Sequence, residues 1–99
     1  MKLLPPIHPG EILREEYMRP LDLSINALAR ELYVPVTRVS ELVNERRSIS
    51  ADTALRLGRY FDTTPDFWVN LQTKYDLEIA SRESGKAIED RVKPRHAAA

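Results

Sequence analysis

The sequence predicts an all-α domain of five short helices, from three observations. Helix-starting residues recur along the chain at Pro9, Ser24, Pro35, Ser50 and the pair Thr64-Pro65, where a side-chain oxygen or the fixed φ of proline can serve a first turn. Apolar residues following these starts fall three and four positions apart, as on one face of a 3.6-residue helix. The 99 residues hold material for one core and no second one, enough to bury roughly two-thirds of the unfolded chain's surface.

The first helix opens at Pro9, carries Ile12, Leu13, Glu16 and Tyr17 at helical spacing, and is ended by Pro20. Ser24 caps the second, whose inner stripe is Ala27, Leu28 and Leu32 and whose end falls near Leu32. Pro35 opens the third because its missing N–H would have no intrahelical partner there; this helix runs to about Asn44 without a side-chain cap. Ser50 begins the fourth, with Ala51, Ala54, Leu55, Gly58 and Phe61 inward. Thr64, Pro65 and Asp66 give the fifth a cap, a first-turn proline and an acid favoured by the helix dipole. Its stripe of Phe67, Trp68, Leu71 and Tyr75 can finish the core and leave apolar surface for a second copy. After Ala80 the sequence turns polar, so residues 1–80 are read as the domain and 81–99 as a tail or short C-terminal arm. Ile88 and Val92 are its anchors, and Phe67, Leu71, Tyr75, Ile88 and Val92 are the candidate dimer contacts. The three closing alanines are read as a cloning remnant or a frayed end.

The second and third helices have the spacing of a helix-turn-helix. Leu28, Leu32 and Val34, with small Ala29 among them, hold one short helix against a second that Val39 and Leu42 seat in the same core. Opposite Val39 and Leu42, residues Val36, Thr37, Ser40, Glu41 and Asn44 fall on one arc. A helix presented in this way can enter the DNA major groove, which displays a distinguishable pattern for every base pair. Thr37 and Ser40 can bond base edges or phosphates, Val36 can touch a thymine methyl, Asn44 can pair with adenine or phosphate, and Glu41 can accept from a cytosine amino group. Arg38 at the flank, with Arg46 and Arg47 in the following loop, suits phosphate neutralisation, which sets register without reading sequence. For Glu41 and Glu45 an ordinary solvated helix face is the competing explanation, since acids repel phosphates.

Fifteen basic and fifteen acidic side chains cancel, so overall charge does not announce a nucleic-acid binder. Distribution does more: Val36 to Arg59 holds five basic residues against three acidic, while both flanking segments are slightly acidic. So few phosphate contacts imply modest, salt-sensitive affinity per subunit, for which a homodimer on two half-sites is the remedy. The chain has no cysteine, hence no disulfide framework or thiolate metal site, which suits a cytoplasmic address. Leu3-Leu4-Pro5-Pro6 is too short and broken for a signal peptide, and no apolar run has membrane-spanning length. Catalysis is not expected. His8, Glu11, Glu15, Glu16 and His96 are a poor set: His8 with Glu11 lacks a second histidine at metal-ligand spacing, His96 lies in the tail, and Glu15-Glu16 look like solvated surface. No metal, cofactor or glycine-rich phosphate loop is expected.

Three stretches occur in a telling order: Ile7-His8-Pro9-Gly10-Glu11-Ile12-Leu13, the Leu28 to Asn44 helix-turn-helix, and Phe67-Trp68-Val69-Asn70-Leu71-Gln72. Over about Ile7 to Ala80 the chain resembles the HigA-type antitoxins, within the Xre group of phage-repressor-like regulators. The resemblance implies a lambda-repressor-like fold and a homodimer that binds a HigB-type toxin, an mRNA-cleaving RNase, stoichiometrically and represses the promoter of the operon encoding both. It places the reading helix on Pro35 to Asn44, the basic loop on Arg46-Arg47 and the aromatic fifth helix on Phe67 to Gln72. The chain departs from the family pattern in three places. Tyr33 and Glu45 stand where glycine is usual, and Tyr33 falls at a turn position that often needs positive φ. Pro35 replaces the usual capping serine. Two alternatives stay open: a free-standing Xre-type regulator without a toxin, and a toxin-masking interaction protein with little DNA binding.

Overall fold

In a computed structural model that describes residues 4–96, the chain is helices joined by short loops, with no strand among the described residues. Helix α1 (Pro9–Ile12) runs on through a wider π-helical stretch, Leu13–Met18, and a tight 3-10 turn, Arg19–Leu21. Then follow α2 (Ile25–Leu32), α3 (Val36–Val43), α4 (Ala51–Phe61) and α5 (Pro65–Arg91). The first helical run passes Pro20 instead of stopping before it, because that ring falls at the start of the 3-10 turn, where its missing N–H has no partner to lose.

The expected caps are in place. Ser24 Oγ accepts the Ala27 N–H at 3.1 Å, Ser50 Oγ the Thr53 N–H at 3.3 Å, and Thr64 Oγ1 the Phe67 N–H at 3.2 Å. Pro35 sits one residue earlier than a helix-opening proline, at the N-cap itself, extended and without a side-chain bond. The cap of α1 is an imidazole: His8 Nδ1 accepts the Gly10 N–H at 2.9 Å, and the ring is buried with its centroid 4.8 Å from that of Tyr75, edge to face.

The core gathers Leu13, Met18, Leu28, Ala29, Leu32, Val39, Leu42, Val43, Ile49, Ala54, Leu57 and Trp68. Trp68 is fully buried with Tyr17, Phe61 and Phe67 around it at ring separations of 4.9, 6.4 and 5.0 Å, and its Nε1–H donates to Thr63 Oγ1 at 2.9 Å. A ring of this size is a large apolar contribution, and the satisfied N–H removes the penalty of burying it. Gln72 is also buried; its Oε1 accepts the Ile49 N–H at 2.8 Å and its Nε2 donates to Asp76 Oδ1 at 2.9 Å, tying the loop before α4 to α5.

Two expectations are corrected. In α4 the inward stripe is Thr53, Ala54, Leu57 and Gly58 with Phe61 half-buried, whereas Ala51 and Leu55 face out. Leu55 is a full 100° around the helix from Ala54, on the far side from Leu57, and lines a surface groove of about 590 Å³ with Leu32, Tyr33 and Tyr60. The arm from residue 81 is no loose tail, because α5 continues to Arg91. It is supported by the i,i+4 pairs Glu78–Arg82 at 4.0 Å and Lys86–Asp90 at 3.6 Å, and ends before Pro94, whose ring disfavours helix at the preceding residue. Arg82 also donates to the Leu4 carbonyl at 2.6 Å. The projection of α5 raises the radius of gyration to 17.2 Å, against about 13 Å for a compact chain of this length. Residues 97–99, with the three alanines, lie outside the described residues.

Burial holds the His8 imidazole below its ordinary value of 6.5, while the Glu45 and Asp76 carboxylates pull the other way. The neutral ring is the one that can accept from Gly10, so protonation at Nδ1 deletes the cap. Because the folded value lies below the unfolded one, the contribution of His8 is complete above 6.5 and is lost as pH falls through and below it. We expect the urea midpoint of the wild-type chain to drop more steeply between pH 7 and pH 5 than that of His8→Asn, which keeps a capping oxygen but does not titrate. Parallel pH profiles for the two proteins would contradict this role.

Candidate nucleic-acid interface

The surface to be explained is the outer face of α3, and its position is set from below and from both ends. From below, Val39, Leu42 and Val43 are buried against α2 and α1. At its carboxyl end Gly10 of α1 lies so close that a Cβ there would overlap the Leu42 carbonyl oxygen and stand 2.9 Å from its carbon. This is a contact only glycine permits.

Both helices of the motif end in the same way. At the end of α2, the Tyr33 N–H bonds to Arg30 O at 3.2 Å and the Val34 N–H to Ala29 O at 3.1 Å; at the end of α3, Glu45 N–H bonds to Leu42 O at 3.0 Å and Arg46 N–H to Glu41 O at 2.8 Å. These are paired 6→1 and 5→2 closures of the Schellman type, which require a left-handed residue. That residue is Tyr33, at φ 58°, in the first case and Glu45, at φ 61°, in the second. The two positions where glycine was missing are therefore the two that need positive φ.

A remaining carbonyl at each end is taken by an arginine from another helix. Arg56 of α4 donates from Nη1 to Leu32 O at 2.8 Å, with Tyr33 O at 3.4 Å, and Arg14 donates to Val43 O. A cation at a helix carboxyl end also opposes the negative pole of the dipole. Neither arginine was singled out for this role from sequence, because the signal is spatial: residues 24 and 29 positions apart meet only in the fold.

On the outward face, Val36 is 47% exposed, Thr37 and Asn44 are exposed, and Ser40 and Glu41 are half-buried. Asn44 folds back, its Nδ2 donating to Ser40 O at 2.8 Å and standing 3.5 Å from Ser40 Oγ. The flanking cations divide into two kinds. Arg38 donates to Asp52 Oδ2 at 2.8 Å, and Arg47 grips Glu41 Oε1 through Nε and Nη2 at 3.0 and 2.7 Å. Arg46 is exposed with no ion pair among the described residues. Asp52 also accepts from Arg56 Nε at 2.9 Å, and the hydrogen bonds from Arg56 and Arg38 hold its carboxyl below the usual carboxylate range. The candidate dimer contacts lie elsewhere: Phe67 and Leu71 are half-buried against this chain's own core and Tyr75 is half-buried against the His8 ring, while Ile88 and Val92 are 54% and 64% exposed on or just past the projecting end of α5.

Known proteins share this fold. A helix-turn-helix family model matches residues 14–68. The chain is 55% identical over 80 residues to virulence-associated protein I of Dichelobacter nodosus, a match covering 81% of this chain and 74% of that protein. Its fold superposes with a TM-score of 0.88 on an addiction module antidote protein of the HigA family from Coxiella burnetii, 52% identical, covering 93% of this chain and 100% of that one. The chain belongs to the HigA family of helix-turn-helix proteins. A third relative is the antitoxin HigA of Pseudomonas aeruginosa, whose structure was determined with the higBA promoter; it is 53% identical with a TM-score of 0.89, covering 92% of this chain and 99% of that one. Within this fold α3 is the second helix of the motif, and among the described residues no helix is long and apolar enough to cross a membrane.

Tyr33 carries its left-handed backbone with a side chain 88% exposed, so little packing offsets the strain. Non-glycine residues bear roughly 1–2 kcal/mol in this region, partly offset by the extra unfolded-state freedom of glycine. We expect Tyr33→Gly to raise stability by about 0.5–1 kcal/mol in urea unfolding. A lower midpoint would show that the ring contributes more than the strain removes.

Proposed function

We propose that this chain is an antitoxin that binds the promoter of its own operon as a homodimer and neutralises a HigB-type mRNA-cleaving toxin by stoichiometric binding. The observation that carries the DNA half is the fixed outer face of α3, with Val36 and Thr37 open to solvent and Arg46 exposed beside it, in a family whose Pseudomonas aeruginosa member was solved with promoter DNA. Each subunit places Val36 to Asn44 in a major groove, the two grooves being about 34 Å apart. Val36, Thr37, Ser40, Glu41 and Asn44 meet bases, and Arg38, Arg46 and Arg47 meet phosphates. Pro35 brings no side-chain oxygen to the first turn of α3; the Arg38 N–H donates to Pro35 O at 3.0 Å, and the Val36 and Thr37 N–H groups are left for a phosphate. Dimer pairing uses the exposed apolar residues Ile88 and Val92 with the open edges of Phe67, Leu71 and Tyr75.

One observation favours a second reading, toxin masking with little DNA contact: Glu41 and Asp52 already neutralise two of the expected phosphate contacts. Co-purification from cells expressing the native operon, followed by gel shifts of the free protein and of any complex, separates the two. A copurifying basic RNase with saturable binding to upstream DNA supports the proposal; a copurifying RNase without DNA binding supports masking, and DNA binding beside no toxin gene supports a free-standing regulator.

Residue roles give a sharper test. We expect Arg46→Ala to weaken binding to all duplexes alike and to make the salt slope shallower by about 0.9. Thr37→Ala should instead change sequence preference, by about 1–3 kcal/mol at one base position. An unchanged salt slope removes Arg46 from the phosphate set, and an unchanged preference removes Thr37 from the reading face.

A further inference from the structure

The acids around the reading helix are arranged more systematically than a solvated surface requires. Between Val36 and Arg59 there are three acidic residues, and each is bound to arginine: Glu41 to Arg47 at 2.7 Å, Glu45 to Arg14 at 3.6 Å, and Asp52 to Arg38 at 2.8 Å and Arg56 at 2.9 Å. Glu45 and Arg14 belong to the closure of α3, and Arg56 to that of α2. Glu41 and Asp52 instead occupy the two arginines that flank the exposed face of α3.

We propose that Glu41 is a specificity-determining residue: Glu41 and Asp52 hold Arg47 and Arg38 in the free protein as a DNA phosphate would and so weaken binding to any duplex, and Glu41 alone recovers that loss on a matching one. The proposal rests on the DNA-binding reading above. Each carboxylate offers its arginine the charge-assisted bonds a phosphate oxygen offers, with Arg47 held through two nitrogens. Exposed pairs of this kind are weak, so a correctly placed phosphate can take the arginine over. The displaced carboxylate, however, stays beside the phosphate backbone and repels it. On a random duplex nothing offsets that repulsion. On a matching duplex Glu41, one turn along α3 from Thr37, accepts from a cytosine amino group, and its charge becomes part of the readout. Both acids thus subtract from the sequence-independent attraction, and Glu41 alone returns its charge to the sequence-dependent part.

The test measures affinity for the duplex upstream of the chain's own gene and for a random duplex, across salt concentrations, with wild-type protein, Glu41→Gln, Asp52→Asn and the double variant Glu41→Gln with Arg47→Ala. Freeing one arginine adds about one counterion released, so Glu41→Gln should bind random DNA about eightfold more tightly at 0.1 M salt with a slope steeper by about 0.9. The gain on the upstream duplex should be smaller, so the ratio of the two affinities falls. Asp52→Asn, whose carboxylate meets no base, should gain on both duplexes alike, and removing Arg47 from Glu41→Gln should abolish its gain. Equal gains of Glu41→Gln on both duplexes, or no gain of either single variant on random DNA, would overturn the proposal while leaving DNA binding intact. A wild-type protein that takes up neither duplex saturably would overturn the DNA-binding reading and this inference with it.

Discussion

One missing carbon atom sets the geometry of this molecule. Gly10 lies against the carbonyl of Leu42 at a distance that admits no Cβ, so the start of α1 is locked onto the carboxyl end of α3. His8 supports the same corner by capping α1 through the Gly10 N–H and by packing its ring on Tyr75 of α5. Helices α1 and α5, far from α3 in sequence, therefore meet at its carboxyl end. With Val39, Leu42 and Val43 buried beneath, the outer face of α3 is left as a rigid ridge, and the Arg14 guanidinium closes the seam by reaching the Val43 carbonyl.

The two helices of the motif are finished by one shared device, in which local strain is set against long-range bonding. Each closes through a left-handed residue that is not glycine, which disfavours the turn by roughly 1–2 kcal/mol. Each also receives a hydrogen bond from a charged arginine of another helix, a class of bond that contributes about 1.5–3 kcal/mol when shielded and less at the partial exposure of Arg14 and Arg56. The two effects are of similar size, so the ends hold while the segments between them stay short. Charge follows the same economy. A chain with no net charge presents an α3 face on which Arg38 and Arg47 are occupied by carboxylates and Arg46 is exposed, with no ion pair among the described residues.

Much of this was legible in the sequence because it is local. Ser24, Ser50 and Thr64 announce caps through a bond to a backbone N–H three residues on, and the spacing of Leu28, Leu32, Val39 and Leu42 fixes which faces of α2 and α3 turn inward. Tyr33 and Glu45 could be marked as unusual because a family pattern exists against which to see them. What stayed hidden is long-range or depends on small angular differences. Leu55 and Leu57 are equally apolar, and only packing against α5 decides that Leu57 enters the core. The course of α5 beyond Ala80 was obscured by its polarity, since i,i+4 charge pairs support a helix that buries nothing. The arginine bonds to Leu32 and Val43 have no sequence signature, as any surface arginine reads the same before the fold brings a carbonyl to it.

The seam between α1 and α3 is what holds α3 in place. Native-state hydrogen exchange of Gly10→Ala against the wild-type chain tests it most directly. Forcing a methyl group against the Leu42 carbonyl should lower global stability by about 1–3 kcal/mol or more. It should also strip protection from the amides of α3, from Val39 to Val43, well beyond that global loss, while α4 and the buried half of α5 follow the global change alone. If the α3 amides of Gly10→Ala keep wild-type protection, or lose it only in step with Trp68 and its neighbours, then α3 is held by the general core and the seam is not its support.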